Sequence, residues 1–299
     1  MAVRFGAVDD PNRDERRIHT QVLPRWGGFA IFTGIAAAIL VAFPLRQLGF
    51  PAYMVGMLVT TLALVVFGAL DDIKQFSAKL QLIALLGAGV IVQFFGGHGT
   101  PKVEIRSLGF FGHIVDLGWA SLPFTAIYIF VITKTMDTID GVDGLASGIA
   151  VICSVTFTFL AWLAKVPSVA IIAAAIGGGA LGFLYQNYNP AKVIMGTGGA
   201  YTLGFMLACV SILGGFKSAV TVSILIPLLA FGIPIFDAFF VIVRRLLSGQ
   251  PITQPDKRHL HHTLLAKGLS QRQTVWVLFT VAATLSLILV AVVVRYGHA

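Results

Sequence analysis

Carboxylates, cations and glycines recur at short spacing in five places along this 299-residue chain. Asp71 and Asp72 are adjacent and close a long apolar block. At a helix C-terminus they face the negative end of the dipole, which costs stability unless a cation, proton or metal compensates. The second group is Lys134, Asp137, Asp140 and Asp143, interleaved with Gly141 and Gly144. If that segment is helical, Lys134, Asp137 and Asp140 stack at i, i+3 spacing, and the glycines let a ligand or a second backbone come close. The third runs from Asn187 through Lys192 to Gly196-Thr197-Gly198-Gly199; a glycine-rich turn before a helix suits phosphate binding by backbone N–H groups. The fourth starts at Asp237, passes Arg244 and Arg245, and ends in Asp256-Lys257-Arg258-His259-Leu260-His261-His262. Its imidazoles can bind metal or phosphate, or move protons. The fifth holds Arg13, Arg16, Arg17, His19 and Arg25, followed by Gly27 and Gly28. Each has a plainer reading, as a solvated helix end, an acid-capped turn, a tight membrane turn, or a basic patch on anionic head groups.

The set says more than its parts. Two carboxylates about 4 Å apart repel by roughly 4 kcal/mol at an effective dielectric near 20. Asp71, Asp72, Asp137, Asp140 and Asp143 at one membrane surface therefore need cations, which Lys134, the Arg and His residues or Mg²⁺ could supply. Matched acids and bases beside a bilayer suit transfer of a phosphate-bearing group onto a lipid phosphate.

The elements that must position these groups are membrane helices. Hydrophobic residues make up 57% of the chain and charged residues 11%, under half the charge of a soluble domain. The apolar residues fall in blocks near the ~20 needed to span hydrocarbon. Nine spans are predicted: Gly27–Phe43, Pro51–Leu70, Leu80–Phe95, Ala120–Ile132, Leu145–Ala164, Val169–Leu184, Tyr201–Leu213, Ser218–Phe236 and Thr274–Val294. Gly232 and Pro234 should kink the eighth, with helix continuing through Arg244 and Arg245. The fold class is an all-α polytopic membrane protein, a single membrane domain over 1–299, with an N-terminal segment 1–26 and a large loop 245–273 on the cytoplasmic side. One face then holds 15 of the 21 Lys and Arg residues and 11 of the 13 acids. The positive-inside rule puts that face in the cytoplasm, so the net charge of +8 reads as topology rather than nucleic-acid binding. On the opposite face, Val103–Ile105 and Leu108–Phe111 suggest a small hairpin. Cys153 and Cys209 lie inside apolar blocks and read as packing residues.

In this order the motifs resemble the polyprenyl-phosphate N-acetylhexosamine-1-phosphate transferases, in the branch using UDP-N-acetylglucosamine or a related UDP-sugar. The matching pieces are Arg17, His19, Pro24, Arg25, Gly27 and Gly28; Asp71-Asp72 after a span; and Ile139-Asp140-Gly141-Val142-Asp143-Gly144. They continue with Asn187, Pro190 and Lys192; Met195-Gly196; Leu203-Gly204-Phe205; Pro234 to Asp237 with Arg244-Arg245; and Asp256 to His262. The resemblance implies transfer of HexNAc-1-phosphate from a UDP-HexNAc to undecaprenyl phosphate, with release of UMP, at the cytoplasmic face of a bacterial inner membrane. It implies Asp71 and Asp72 near the lipid phosphate, Asp140 and Asp143 positioning the nucleotide-sugar, and His259, His261 and His262 on its phosphate or sugar side. Arg17, His19, Arg25, Asn187, Lys192, Arg244 and Arg245 would bind substrate. The acceptor would enter through a lateral groove, and a homodimer is compatible with the superfamily.

Three departures accompany the resemblance. The superfamily carries a further span ahead of its R-x-H region, whereas here Arg17 and His19 lie close to Met1. Its G-D-x-G segment, whose Asp binds Mg²⁺, reads Gly196-Thr197-Gly198-Gly199, and a neutral hydroxyl is a weak ligand for a hard cation. Its N-x-x-N pair reads Lys134 and Asp137. Either Asp137 supplies the carboxylate missing at 197 and Mg²⁺ stays, or the Lys134 ammonium does part of the metal's work, or the chain binds lipid or nucleotide-sugar without transfer. A transporter is a further alternative, but transporters place ionisable groups at mid-membrane, and these lie at span ends.

Overall fold

The computed structural model describes residues 2–9, 22–97, 101–110, 113–214, 229–247 and 259–296. These form the helices α1 (Gly27–Leu45), α2 (Ala52–Lys74), α3 (Ala78–Ile91), α4 (Ser121–Ile139), α5 (Leu145–Leu163), α6 (Pro167–Asn187), α7 (Gly196–Leu213), α8 (Gly232–Leu247), α9 (Leu260–Ala266) and α10 (Gln271–Tyr296). Seven of them, α1, α2, α4 to α7 and α10, are long and apolar enough to cross a membrane; α3 with its 3₁₀ extension, Ala78–Phe94, is a shorter apolar helix. The chain is thus a multi-pass membrane protein. Residues 218–228 of the predicted eighth span lie outside the described residues. The helical path breaks at Phe231, beside Gly232 and Pro234, and resumes as α8.

Local chemistry sets the boundaries. Ser77 caps α3 by accepting from the Leu80 N–H at 3.4 Å, and Pro167 opens α6 where no N–H is required. Gln75 ends α2 in the left-handed region at φ 53°. That turns the chain back sharply, so α3 begins beside the end of α2.

The central helix is α7. It packs against α1, α2, α4, α5 and α6, and most of it is buried. Small residues permit this approach, as is usual between membrane helices: a side chain at Gly28 would collide with Gly199, one at Gly68 with Gly198, and one at Gly204 with Thr133. The segment 196–199, read from sequence as a glycine-rich turn, is instead the first turn of α7, wedged between α1 and α2. Leu40, Val41, Val59, Leu62, Phe159 and Trp162 point outward, as a lipid-facing surface requires. An apolar groove of ≈ 680 Å³ runs along α1 and α6, floored by Gly34, Gly178 and Gly182 and bounded by Phe183.

Two short antiparallel pairs complete the described structure. Strand β1 (Val8–Asp9) pairs with β2 (Leu23–Pro24), and Arg25 N–H donates to the Ala7 carbonyl at 3.1 Å, fixing Arg25 at the start of α1. Strands β3 (Ser107–Phe110) and β4 (His113–Asp116) form a hairpin with Ser107 opposite Asp116. The hairpin expected here therefore exists, but 103–105 is not one of its strands. Ile105 N–H instead bonds the Thr125 hydroxyl at 2.9 Å, anchoring that stretch to α4. Cys153 and Cys209 are buried free thiols.

Candidate active site

Asp71 and Asp72 occupy the last turn of α2 and are buried. The reversal at Gln75 brings donors onto Asp71. Phe76 N–H lies 2.8 Å from Oδ1, and Gln81 Nε2 lies 3.1 Å from both carboxylate oxygens. The Thr197 hydroxyl donates to Oδ2 at 3.1 Å. Asp72 Oδ1 accepts the Thr197 N–H at 3.1 Å and pairs with Arg25 Nε at 3.3 Å. The positive N-terminal end of α7 thus meets the acidic C-terminal end of α2, which compensates the adverse placement of the carboxylates on their own helix. Gly196, at φ +71°, has no room for a side chain, because a Cβ would strike the Asp72 carboxylate and the Arg25 carbonyl.

Lys134 and Asp137 face this pair from α4. Lys134 Nζ lies 2.7 Å from Asp137 Oδ2 and donates to Gln81 Oε1 at 2.8 Å. Gln81 therefore links Lys134 to Asp71 with its two amide ends. Lys134 Nζ also stands 6.0 Å from the centre of the Tyr201 ring on α7.

Asp140 caps α4, is half-buried, and makes no side-chain hydrogen bond or ion pair within the described residues. Burial raises its carboxyl well above the usual carboxylate range; Asp137 adds to the effect and Arg25 opposes it. Asp143 is buried and differently engaged. Its Oδ2 accepts from Asn189 Nδ2 at 3.1 Å and from the Ala191 N–H at 3.0 Å. Asn187 accepts the Gly144 N–H at 3.0 Å and donates to the Val193 carbonyl at 3.0 Å. Asp143 and Asn187 thus clamp the α4–α5 turn to the α6–α7 loop. These bonds also hold the loops that carry Asp140 and Thr197.

The histidines close over the same turn. Asp237 on α8 accepts the Leu260 N–H at 2.6 Å and lies 2.9 Å from His259 Nδ1, so one carboxylate both starts α9 and orients His259. The His259 and His261 rings stack at 5.8 Å, and those of His261 and His262 lie 4.4 Å apart. A Cβ on Gly141 would sit 2.8 Å from His261 Nε2, so glycine is what lets this imidazole rest on the acidic turn. Burial, reinforced by His262, lowers His261 from 6.5 to about 3, against the opposing pull of Asp237. Above pH 6.5 the folded and unfolded chains both hold it neutral. Below that, only the unfolded chain gains the proton, so stability falls by up to about 1.4 kcal/mol per pH unit until about pH 3. His261→Gln is expected to flatten the decline of the thermal midpoint between pH 6 and 4; an unchanged slope would refute this assignment.

The family model described as glycosyl transferase family 4 matches residues 54–215, which run from α2 through α7 and include the partners given above for Asp71, Lys134, Asp143 and Thr197. The chain belongs to glycosyl transferase family 4. A Bacillus subtilis member of like sequence, named a probable undecaprenyl-phosphate N-acetylglucosaminyl 1-phosphate transferase, is 37% identical over 96% of this chain and 77% of its own length. The decaprenyl-phosphate N-acetylglucosaminephosphotransferase of Mycolicibacterium smegmatis is 31% identical over 93% of this chain and 73% of its own. The undecaprenyl-phosphate alpha-N-acetylglucosaminyl 1-phosphate transferase of Escherichia coli is 27% identical over the whole chain and 79% of its own length.

The remaining expected site residues of this family 4 chain differ in burial. Lys192 and Arg244 are exposed and Arg245 is buried. Arg17 and His19 lie outside the described residues, as do Asp256 to Arg258. Three participants escaped the sequence reading of the site: Gln81, Tyr201 and Asp237 in its role as a cap. The first two sit singly in apolar helices, and only the fold shows that they face the acids. The metal implied by the resemblance finds a poor donor set. Thr197 spends its proton on Asp71, both Asp71 oxygens already accept N–H groups, and Asp137 is held by an ammonium. Among the described residues no three His, Cys, Asp or Glu groups converge to hold an ion. The residues around Thr197 therefore do not fit Mg²⁺.

Proposed function

We propose that this chain transfers HexNAc-1-phosphate, specifically GlcNAc-1-phosphate, from a UDP-sugar to undecaprenyl phosphate, releasing UMP and starting a cell-envelope polysaccharide. The observation that carries the reading is the cluster that α2, α4, α7 and the segment before α1 build from Arg25, Asp71, Asp72, Lys134, Asp137 and Thr197, in a chain aligned almost end to end with polyprenyl-phosphate transferases. Acids and cations interleaved at the ends of membrane helices suit a reaction between two phosphates, one of them fixed in the bilayer. The site faces the cytoplasm of a bacterial inner membrane in this reading, as the distribution of Lys and Arg supports.

The chemistry is one displacement. An oxygen of the lipid phosphate forms a bond to the phosphorus that carries the sugar. The bond from that phosphorus to the oxygen shared with the uridine phosphate breaks, and its electron pair leaves with UMP. Arg25, beside Asp72, offers a cation to the incoming lipid phosphate. Asp71 and Asp72 take up a proton where the lipid phosphate arrives protonated and otherwise hold Arg25 and Thr197 in place. His259, oriented by Asp237, and the neutral His261 lie over the Asp140 turn, where the sugar phosphate would rest. The groove along α1 and α6 supports lateral entry of the lipid, since Phe183 at its edge packs against Gly27, two residues from Arg25.

The test is purified protein with undecaprenyl phosphate and a panel of UDP-HexNAc donors. UMP should appear fastest with UDP-GlcNAc, together with a sugar-bearing lipid. Equal rates with all donors would remove the GlcNAc assignment, and no lipid product would remove the transferase reading.

A further inference from the structure

Three tyrosines inside the bundle carry hydroxyls away from water, and one differs from the others. Tyr53 donates to Ser168 at 2.8 Å, and Tyr128 shares a hydrogen bond with Ser211 at 2.7 Å. Tyr201 is 0% exposed, yet among the described residues its hydroxyl has no hydrogen-bond partner. A buried unpaired hydroxyl costs folding free energy, and natural chains seldom keep one without use. The charges that reach it are those of Asp137, Asp71 and Asp72, so it sits at the acidic end of the bundle. Lys134 stands at its ring. An ammonium has three N–H donors. Two go to Asp137 and Gln81, which leaves a third, and the side chain is 37% exposed and so reachable. Across α4 and α7, a cation with a donor to spare among the described residues thus stands 6.0 Å from the ring of a phenol whose hydroxyl is unused. They stand where the donors do not fit a divalent ion.

We propose that Lys134 and Tyr201 together bind the diphosphate of the nucleotide-sugar, and that transfer in this chain runs without a divalent metal. This rests on the transferase reading above. During transfer the Lys134 ammonium donates hydrogen bonds to the non-bridging oxygens, and entry of the diphosphate opens the buried Tyr201 hydroxyl to donate to the departing UMP oxygen. Both keep their protons, so the bonds made and broken are those already given. Lysine acts here as a point charge rather than a bridge between oxygens.

Three readouts test the pair: UMP release with Mg²⁺ or with EDTA, Mn²⁺ binding by electron paramagnetic resonance, and UDP-GlcNAc affinity in EDTA by calorimetry. The wild type should release UMP at rates within twofold in Mg²⁺ and in EDTA, and should bind no Mn²⁺. Lys134→Met should lose about a hundredfold in turnover, and Lys134→Arg should recover most of it. Tyr201→Phe should lose about tenfold while its thermal midpoint holds or rises, since the variant discards an unpaired hydroxyl. Loss of UMP release in EDTA with recovery in Mg²⁺ would overturn the proposal, as would full activity in Tyr201→Phe. If the wild type releases no UMP in either condition, the transferase reading fails and affinity decides the pair. A tenfold loss of UDP-GlcNAc affinity in Tyr201→Phe and Lys134→Met would then uphold it, and unchanged affinity would end it.

Discussion

Asp72→Asn is expected to lower UMP release by about two to four orders of magnitude, the range for removal of a positioned acid–base group. The amide keeps the size of the carboxylate and can still accept the Thr197 N–H, so the end of α7 should stay docked. It loses the charge that pairs with Arg25 at 3.3 Å. Arg25 is then free to drift from the place where the lipid phosphate arrives, and one of the two proton acceptors is gone. The check is kcat and KM with undecaprenyl phosphate as the varied substrate, alongside a thermal midpoint. A fall in kcat in folded protein supports the role. A change confined to the midpoint would make Asp72 a structural anchor for α7 and nothing more.

The second large effect is expected at Thr197. Thr197→Asp replaces a hydroxyl that donates to Asp71 at 3.1 Å with a second carboxylate at the same spot. Two such charges about 4 Å apart repel by roughly 4 kcal/mol at an effective dielectric near 20. In EDTA the variant should melt well below the wild type, or hold a proton there near neutral pH. Mg²⁺ should raise its midpoint in a saturable way, because the substitution builds the carboxylate pair that a hard cation prefers. The same addition should leave the wild-type midpoint unchanged. A wild type that Mg²⁺ stabilises as strongly as the variant would contradict the donor accounting around Asp71 and Asp137.

Much of this architecture was legible because a bilayer leaves backbone polar groups few options. Long apolar blocks had to be helices, and their ends had to collect the charges. That reasoning found α1 to α6 and α10 with small errors at the boundaries. It started α7 late, because four residues that include three glycines look like a turn in isolation. Only the approach of Gly28 and Gly68 explains why small residues in a helix are needed there. The hairpin was legible in kind but not in register, since strand propensity cannot show that Ile105 is held by Thr125.

The site was legible as a set of acids and not as a set of contacts. Residue types gave the i, i+3 relation of Lys134 and Asp137, and the structure closes it at 2.7 Å. The bonds of Asp143 and Asn187 to Ala191 and Gly144 join segments more than 40 residues apart, which spacing cannot reveal. Gln81 and Tyr201 had no periodic signal. An isolated amide or phenol on an apolar helix reads as packing until the turn at Gln75 and the docking of α7 bring both beside Lys134.

Following the phosphate itself distinguishes transfer of HexNAc-1-phosphate from transfer of the sugar alone. UDP-GlcNAc labelled at the sugar-bearing phosphate is incubated with purified protein and undecaprenyl phosphate, and the label is partitioned between lipid and nucleotide. The account expects the label in the lipid and unlabelled UMP in water, in equal amounts. Label that appears in UDP while sugar reaches the lipid would mean transfer of the sugar alone, and would contradict the displacement at phosphorus assigned to this site.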